Sequence, residues 1–294
     1  MTRSFAAGSR RLIVVAGVLL CASASTRTAA AQPVLLQIRP RMGDTISVRM
    51  DQQVEMTGVP TGCVSGAAQP NSRNPASAPA RLCGEGTRSM TTRMEVFSRA
   101  IVKGSSSNTT TLLAMTDSIR TSASSTPGKN PAPTRISAPR STIEFRVATD
   151  GGTEISNADA SDELRAIFHQ MPAMLSRNPV SVGDKWTREM RIPQVAETGA
   201  NGRVRATFQF DSLGRNGDIA YISMRGTLSN DRAGGGASEM SGSLTGVMQL
   251  DRRLAWITET RARIDASSIV KPATGPPMTV TTRITQHLKA ARVR

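Results

Sequence analysis

The sequence predicts an α+β fold that is mainly β: a large curved antiparallel sheet, half-barrel-like, wrapped around one main helix. Three observations carry this expectation. Apolar and polar residues alternate in many separate runs, the period of a strand with one covered face. One stretch, Ser161 to Leu175, instead repeats Leu164, Ile167, Phe168, Met171, Met174 and Leu175 at spacings of three and four. A single helix covers a sheet of this extent only if the sheet curves around it.

The first 31 residues are set aside as a signal peptide. Arg3, Arg10 and Arg11 form a basic lead, Leu12 to Leu20 is apolar, and Ala29-Ala30-Ala31 offers a small-residue cleavage site before Gln32. Nine apolar residues cannot cross a bilayer core of about 30 Å. The expected location is periplasmic or secreted, with cleavage after Ala31. Ser9 to Val14 resembles a twin-arginine signal, so the general and twin-arginine export routes both stay open. Leu20 precedes Cys21, where lipoprotein processing needs a small residue, so a soluble mature protein is expected.

From Gln32 to Arg294 the chain reads as one β-rich domain, or two halves (32–140 and 141–294) joined by a Pro/Ser-rich linker at 122–140. Val34 to Ile38 is a short strand or lead-in, and Gly43-Asp44 turns the chain. Ile46, Val48, Met50, Val54 and Met56 alternate with polar residues. A second strand carries Met90, Thr92, Met94, Val96, Ala100 and Val102. A third returns with Thr111, Leu113, Met115 and Ile119 after a turn at Gly104 to Asn108, forming a hairpin. Four prolines keep the linker from being a central strand. Ile143, Phe145 and Val147 follow.

Ser161 is a suitable N-cap for the helix, with Asp162 and Glu163 in its first turn. Pro172 and Pro179 interrupt and end it. The period then returns to two. Trp186, Met190 and Ile192 share one face, and Lys185, Thr187, Glu189 and Arg191 the other. Val204 to Phe210 and Ala220 to Met224 alternate on either side of Asn216-Gly217, a strong hairpin signal. Met240 to Leu250, then Leu254, Trp256 and Ile264, and finally Met278 to Ile284 complete nine to eleven strands. Met42 to Met50 and Val182 to Met190 share a Gly-Asp start and a terminal Met, a faint internal repeat.

Cys63 and Cys83 survive cleavage. In an oxidising compartment they are expected to pair, tying a Pro/Ala/Ser/Asn-rich loop. Closing about 20 residues contributes ~3 kcal/mol in the chain-entropy picture.

The spacing Pro172, Pro179-Val180, Gly183-Asp184, Trp186 resembles the P-x(6)-P-V-x-x-G-D-x-W pattern of an uncharacterised family of bacterial secreted and lipoprotein envelope proteins. The resemblance extends through Asn216 to Gly226 and Gly242 to Asp251. It implies an envelope location and a β-rich shape, without an activity. The architecture expected is similar to that of lipoprotein carriers of the LolA type.

The chain has 37 basic and 22 acidic residues, and the signal's four arginines leave the mature chain at +11. These charges are scattered, and aromatics are only 3%, too few for base stacking, so nucleic acid is not an expected partner. Weak contact with an anionic membrane surface is compatible with the charge. No nucleophile, metal, phosphate or dinucleotide motif is present, so no enzyme activity, metal or cofactor is expected. His169 lies off the helix stripe and His287 in a polar C-terminal tail. Methionines crowd the apolar strand faces, and methionine adapts to irregular apolar ligands or fills an ordinary core.

Two functions therefore stand. One is a non-enzymatic binding or carrier-like protein for an apolar, lipid-type ligand, with Phe168, Met171, Trp186, Met190, Met248 and Trp256 as lining or core. The other is an envelope structural or interaction protein with a fully packed core.

Overall fold

Alternation becomes strand pairing wherever the fold can be followed. A computed structural model describes residues 32–61, 87–125, 134–136, 142–156, 173–192, 202–230, 240–270 and 277–293. The strands are β1 (Thr45–Pro60), β2 (Arg88–Ser105), β3 (Thr109–Ser124), β4 (Thr134–Ile136), β5 (Thr142–Ala148), β6 (Thr153–Ile155), β7 (Lys185–Ile192), β8 (Gly202–Gly214), β9 (Ile219–Asn230), β10 (Met240–Asp251), β11 (Trp256–Val270) and β12 (Met278–Arg292). They form one 12-stranded sheet in the order β6-β5-β3-β2-β1-β12-β11-β10-β9-β8-β7, with β4 also on β3. Every described pairing is antiparallel. The sheet is thus two meanders, β1 to β6 and β7 to β12, joined where β1 meets β12.

No helix covers this sheet among the described residues. Among the described residues there is no α-helix, only a 3-10 turn at Arg215–Gly217. Ala173, Met174 and Leu175, the end of the expected helix, are non-helical, and residues 157–172 lie outside the described residues. The fold is β throughout what is described, and the α+β half-barrel wrapped around a helix is withdrawn. The physical reason is visible at Leu175. Its apolar side chain is wholly buried on an irregular, non-helical segment, and its own backbone N–H donates to the Asp150 carbonyl at 2.9 Å. Leu175, at helical spacing and between two prolines in sequence, is buried without a helix.

Extended chain closes one end of the apolar face instead. Val34 and Val180 exchange both backbone hydrogen bonds, at 2.8 and 2.9 Å. Ile38 N–H donates to Thr149 in the β5–β6 turn, and Arg39 N–H to Ala255 in the β10–β11 turn. Leu36, Ile38, Leu175 and Val180 then pack into one cluster with Val102, Leu112 and Val147 from one meander and Phe208, Phe210, Ile222, Met248 and Leu250 from the other.

Two bulges corrected the face assignments. A register shift at Phe97/Ser98 puts Leu112, not Leu113, in the core, and leaves Met115 opposite Arg99 on the polar face. Adjacent apolar residues in β3 made either phase readable from sequence. A second shift, at Gln249/Leu250, buries Ile257 beside half-buried Trp256. The expected linker is also shorter: Ser122 to Ser124 belong to β3, and Thr134–Ile136 adds a short strand. His287 lies within β12, not in a tail.

The two Gly-Asp turns are the same object. In each, the Asp N–H donates to the carbonyl three residues back at 3.0 Å (Asp44 to Arg41, Asp184 to Ser181). In each, the Asp Oδ2 accepts the N–H of that same residue, at 3.2 and 2.7 Å. Each also exchanges two backbone bonds with the next strand, Gly43 and Asp44 with Val102, Gly183 and Asp184 with Phe210. The glycines sit at φ +85° and +95°, which the third position of a type II turn demands. Nothing within 4 Å would meet an added Cβ at either one. Gly43→Ala and Gly183→Ala should therefore each cost only the left-handed backbone penalty, about 1–2 kcal/mol, in urea melts. A neutral effect at either site would separate the two turns.

Candidate functional site

The apolar face is the feature most able to act, and its burial is uneven. At the closed end Ile46, Leu112, Phe210, Ala220 and Leu250 are 0% exposed. On the same face of β3, β2, β1, β12 and β11, Met56, Met94, Ile119, Ile264 and Ile284 are half-buried, and Met90 is 44% exposed. Met56 lies ten residues along β1 from Ile46, about 33 Å at strand rise. The face thus runs from a dry, packed end to an apolar surface only partly covered by described residues. Gln52 and Gln286, paired across β1 and β12, form a polar step midway, with Gln286 Nε2 3.0 Å from Met50 Sδ.

Trp186 stands on this face in β7. Its ring stacks on Phe208 at 5.8 Å and 10°, and its Nε1–H donates to the Met174 carbonyl at 2.8 Å. The indole thus joins sheet to covering segment through both its apolar body and its polar edge. Met248 is 1% exposed and is core, and Trp256 packs half-buried against the same cluster. Met190 pairs with Val204 in the sheet, and its side chain lies outside the description. Phe168, Met171, His169, Cys63 and Cys83, and with them the expected disulfide and the helix-borne part of the site, lie outside the described residues.

Sequence reading missed Arg188. It shares parity with Trp186 and pairs with Ala206, so it stands on the apolar face. Its Nη2 donates to the Leu175 carbonyl at 2.5 Å, and its Nε is buried without a partner among the described residues. Parity was the available signal: an arginine in phase with a tryptophan.

Asp150 lies in the β5–β6 turn, 7% exposed. Arg177 Nε donates to its Oδ2 at 2.8 Å, and Gly152 N–H to its Oδ1 at 3.2 Å. Burial pushes this carboxyl up, but the Arg177 and Gly152 hydrogen bonds and the charges of Arg177 and Arg188 together hold it below the ordinary range.

The opposite face is polar. Asp51, Glu55, Glu95, Glu144, Glu189 and Glu259 all fall there, out of phase with the apolar face, as their parity implied. Arg263 and Arg283 converge on Asp265 at 2.6 and 2.8 Å and draw its carboxyl down to about 2. His287 Nε2 lies 2.8 Å from Glu259 and, with Arg261, lowers that carboxyl. Arg49 and Arg120 both lie over the Phe97 ring at 5.4 Å. An open hollow of about 800 Å³ on this face is walled in part by Arg93, Arg225, Arg261 and Asp51. Among the described residues no group of three or more His, Cys, Asp or Glu could hold a metal ion, and no helix is long and apolar enough to cross a membrane.

No protein-family model and no curated protein matches the chain. Among solved structures, it is similar to lipovitellin, described for its lipid–protein interactions, with TM-score 0.42 and 9% identity over 86% of this chain and 26% of that chain. The chain therefore spans about a quarter of lipovitellin's length. It is similar to an outer membrane channel from Pseudomonas putida F1 with TM-score 0.20 and 9% identity, over 85% of this chain and 96% of that one. It is similar to the open-gate secretin of the Salmonella SPI-1 type III secretion injectisome with TM-score 0.14 and 7% identity, over 87% and 61%. Likenesses at these scores carry no functional argument.

Trp186→Ala removes both a stack and a donor, and should cost about 3 kcal/mol in urea melts. Trp186→Phe keeps the apolar body and should cost about 1 kcal/mol, the loss of the Met174 hydrogen bond. Equal effects would mean the polar edge contributes nothing. A depressed carboxyl contributes stability that is complete above its unfolded value, about 3.9, and is lost as pH falls through its folded value. The stability gap between wild type and Arg177→Met should thus hold steady above about pH 5 and narrow below about pH 4. A gap unchanged down to about pH 2 would exclude a role for the Asp150 charge.

Proposed function

We propose that the chain is a non-catalytic binding or carrier protein for an apolar, lipid-like ligand, exported by its N-terminal signal to the periplasm or beyond. The observation behind this reading is the uneven burial of one continuous apolar face. A protein that used this face only as core would pack it evenly along its length. Here the closed end is dry, and the far end of β2, β1, β12 and β11 keeps only partly buried methionine, isoleucine and valine side chains, with Met90 44% exposed. Such a surface suits an acyl chain, because dispersion and water release need no directional partners. Covering about 300 Å² of apolar surface would contribute ~7 kcal/mol before the costs of ordering the ligand. Methionine favours this use, since its flexible thioether repacks around ligands of different shape.

The test is the protein's own cargo. Native mass spectrometry of gently purified mature chain should show a co-purifying lipid, and delipidated protein should bind N-phenyl-1-naphthylamine with a fluorescence rise. Met90→Glu and Ile284→Asp, on the far end of the apolar face, should weaken that binding by roughly tenfold or more. Val247→Asp, 50% exposed on the polar face, should leave it unchanged. Protein that carries no lipid and binds no probe would instead fit an envelope interaction protein with a packed core.

A further inference from the structure

We infer that the hollow on the polar face is a binding groove for an acidic polysaccharide, a function separate from that of the apolar face.

Register builds the groove. One wall is a single cross-strand row, Arg93, Gln53, Thr285, Arg263, Thr245 and Arg225, on β2, β1, β12, β11, β10 and β9. The other wall lies two residues away along the strands and runs from Asp51 through His287, Arg261 and Val247 to Ser223. The residues between the rows, from Gln52 to Met224, turn their side chains to the apolar face, so main chain forms the floor. The first row spans five strand spacings, about 24 Å. The groove is thus long and open, with a volume of about 800 Å³.

Its charge is one-sided. Four arginines line it against one carboxylate, Asp51, which already accepts from Arg49 at 3.1 Å. All four arginines are exposed, so their donors are open to a ligand. Arg93 and Arg225, at the two ends, have no ion pair among the described residues. Arg261 and Arg263 are held through Nε and Nη2 by Glu259 and Asp265, which do not line the hollow. The Nη1 of each has no partner among the described residues.

Cations at both ends and in the middle of a long floor suit a linear polyanion better than one compact anion. Between the cations stand Gln53, Thr285 and Thr245, side chains that both donate and accept, as sugar hydroxyls do. A peptide laid across the strands would bring main-chain groups, and the floor's own N–H and C=O groups are already paired in the ladders. A nucleic acid would bring bases, and no Phe, Tyr or Trp lines the hollow to stack on them.

The test is binding of the mature chain to immobilised polygalacturonate, dextran sulfate, oligothymidylate or neutral dextran at physiological ionic strength. Wild type should bind at least one acidic polysaccharide and not dextran. Arg93→Gln with Arg225→Gln should weaken that binding by roughly tenfold, a few-fold for each exposed ion pair lost. Lys103→Gln with Arg146→Gln removes the same charge from exposed sites outside the hollow and should change it by less than about twofold. Val247→Asp, which adds an acid to the second wall, should also weaken it while leaving the lipid probe bound. The four replaced cations have no ion pair among the described residues, so these variants should melt in urea as wild type does. Which polymer binds tighter tells a uronate from a sulfated sugar, and either supports the proposal. Equal losses from the two charge-matched pairs, or no binding of either acidic polysaccharide, overturns it. So does oligothymidylate binding as tight as theirs and lost with Arg93 and Arg225. None of these outcomes bears on lipid binding.

Discussion

The structure depends on the pairing of β1 with β12. Fifteen residue pairs, from Ile46–Arg292 to Pro60–Met278, join the first strand to the last. Ser47 Oγ adds a hydrogen bond to the Ala291 carbonyl across the same seam. Without it, the chain would be two meanders, each with a long unpaired edge and half an apolar face. An exposed row of N–H and C=O groups is a template for the wrong partner. The seam removes both edges at once and makes one continuous face. Its cost is entropic, because it closes almost the whole chain before any contact in it is gained. The hairpins on either side need no such closure and can form locally.

Once the seam exists, the two faces divide the work. The polar face is held by many arginine–carboxylate contacts that are exposed and individually worth little. They serve chiefly to keep that face wet and to set charge. The apolar face is closed at one end by extended chain, not by a regular element. The 33–44 segment links the β7 lead-in to the β5–β6 turn within a few residues, through backbone bonds of Val34 and Ile38. Trp186, Asp150 and Arg177 gather where that closure meets the β7 edge. The same region holds Arg188, whose Nη2 donates to the Leu175 carbonyl and whose buried Nε has no partner among the described residues.

The two Gly-Asp turns give the meanders a common beginning. Each launches a strand, each clamps the end of the following strand, and their lead-ins pair through Val34 and Val180. Both meanders also progress in the same direction across the sheet. The environments differ all the same. Asp44 is 4% exposed and held by Arg292 at 2.7 Å, whereas Asp184 is exposed. The turn is therefore a backbone device that works in either setting, since its essential bonds are main-chain and its glycine supplies the positive φ.

Much of this was legible in the sequence. Period-two alternation identified the strands, the Asn216-Gly217 hairpin and the faces of β1, β2, β8, β9 and β10, because side-chain direction in a strand is a local property. Gly43 and Gly183 marked turns for the same reason. What alternation could not decide was phase where apolar residues adjoin, as at Leu112-Leu113, because a bulge in β3 at Asp117, defined only by its pairing with β2, settles it. Nor could it decide what covers a face. Leu175 looks helical by spacing, yet its burial comes from a backbone bond to Asp150, a partner that only the folded sheet brings near. Arg188 had the parity of the apolar face from the outset. That its Nε has no partner among the described residues depends on where Leu175, Asp150 and Arg177 come to rest, and that is a property of the tertiary structure alone.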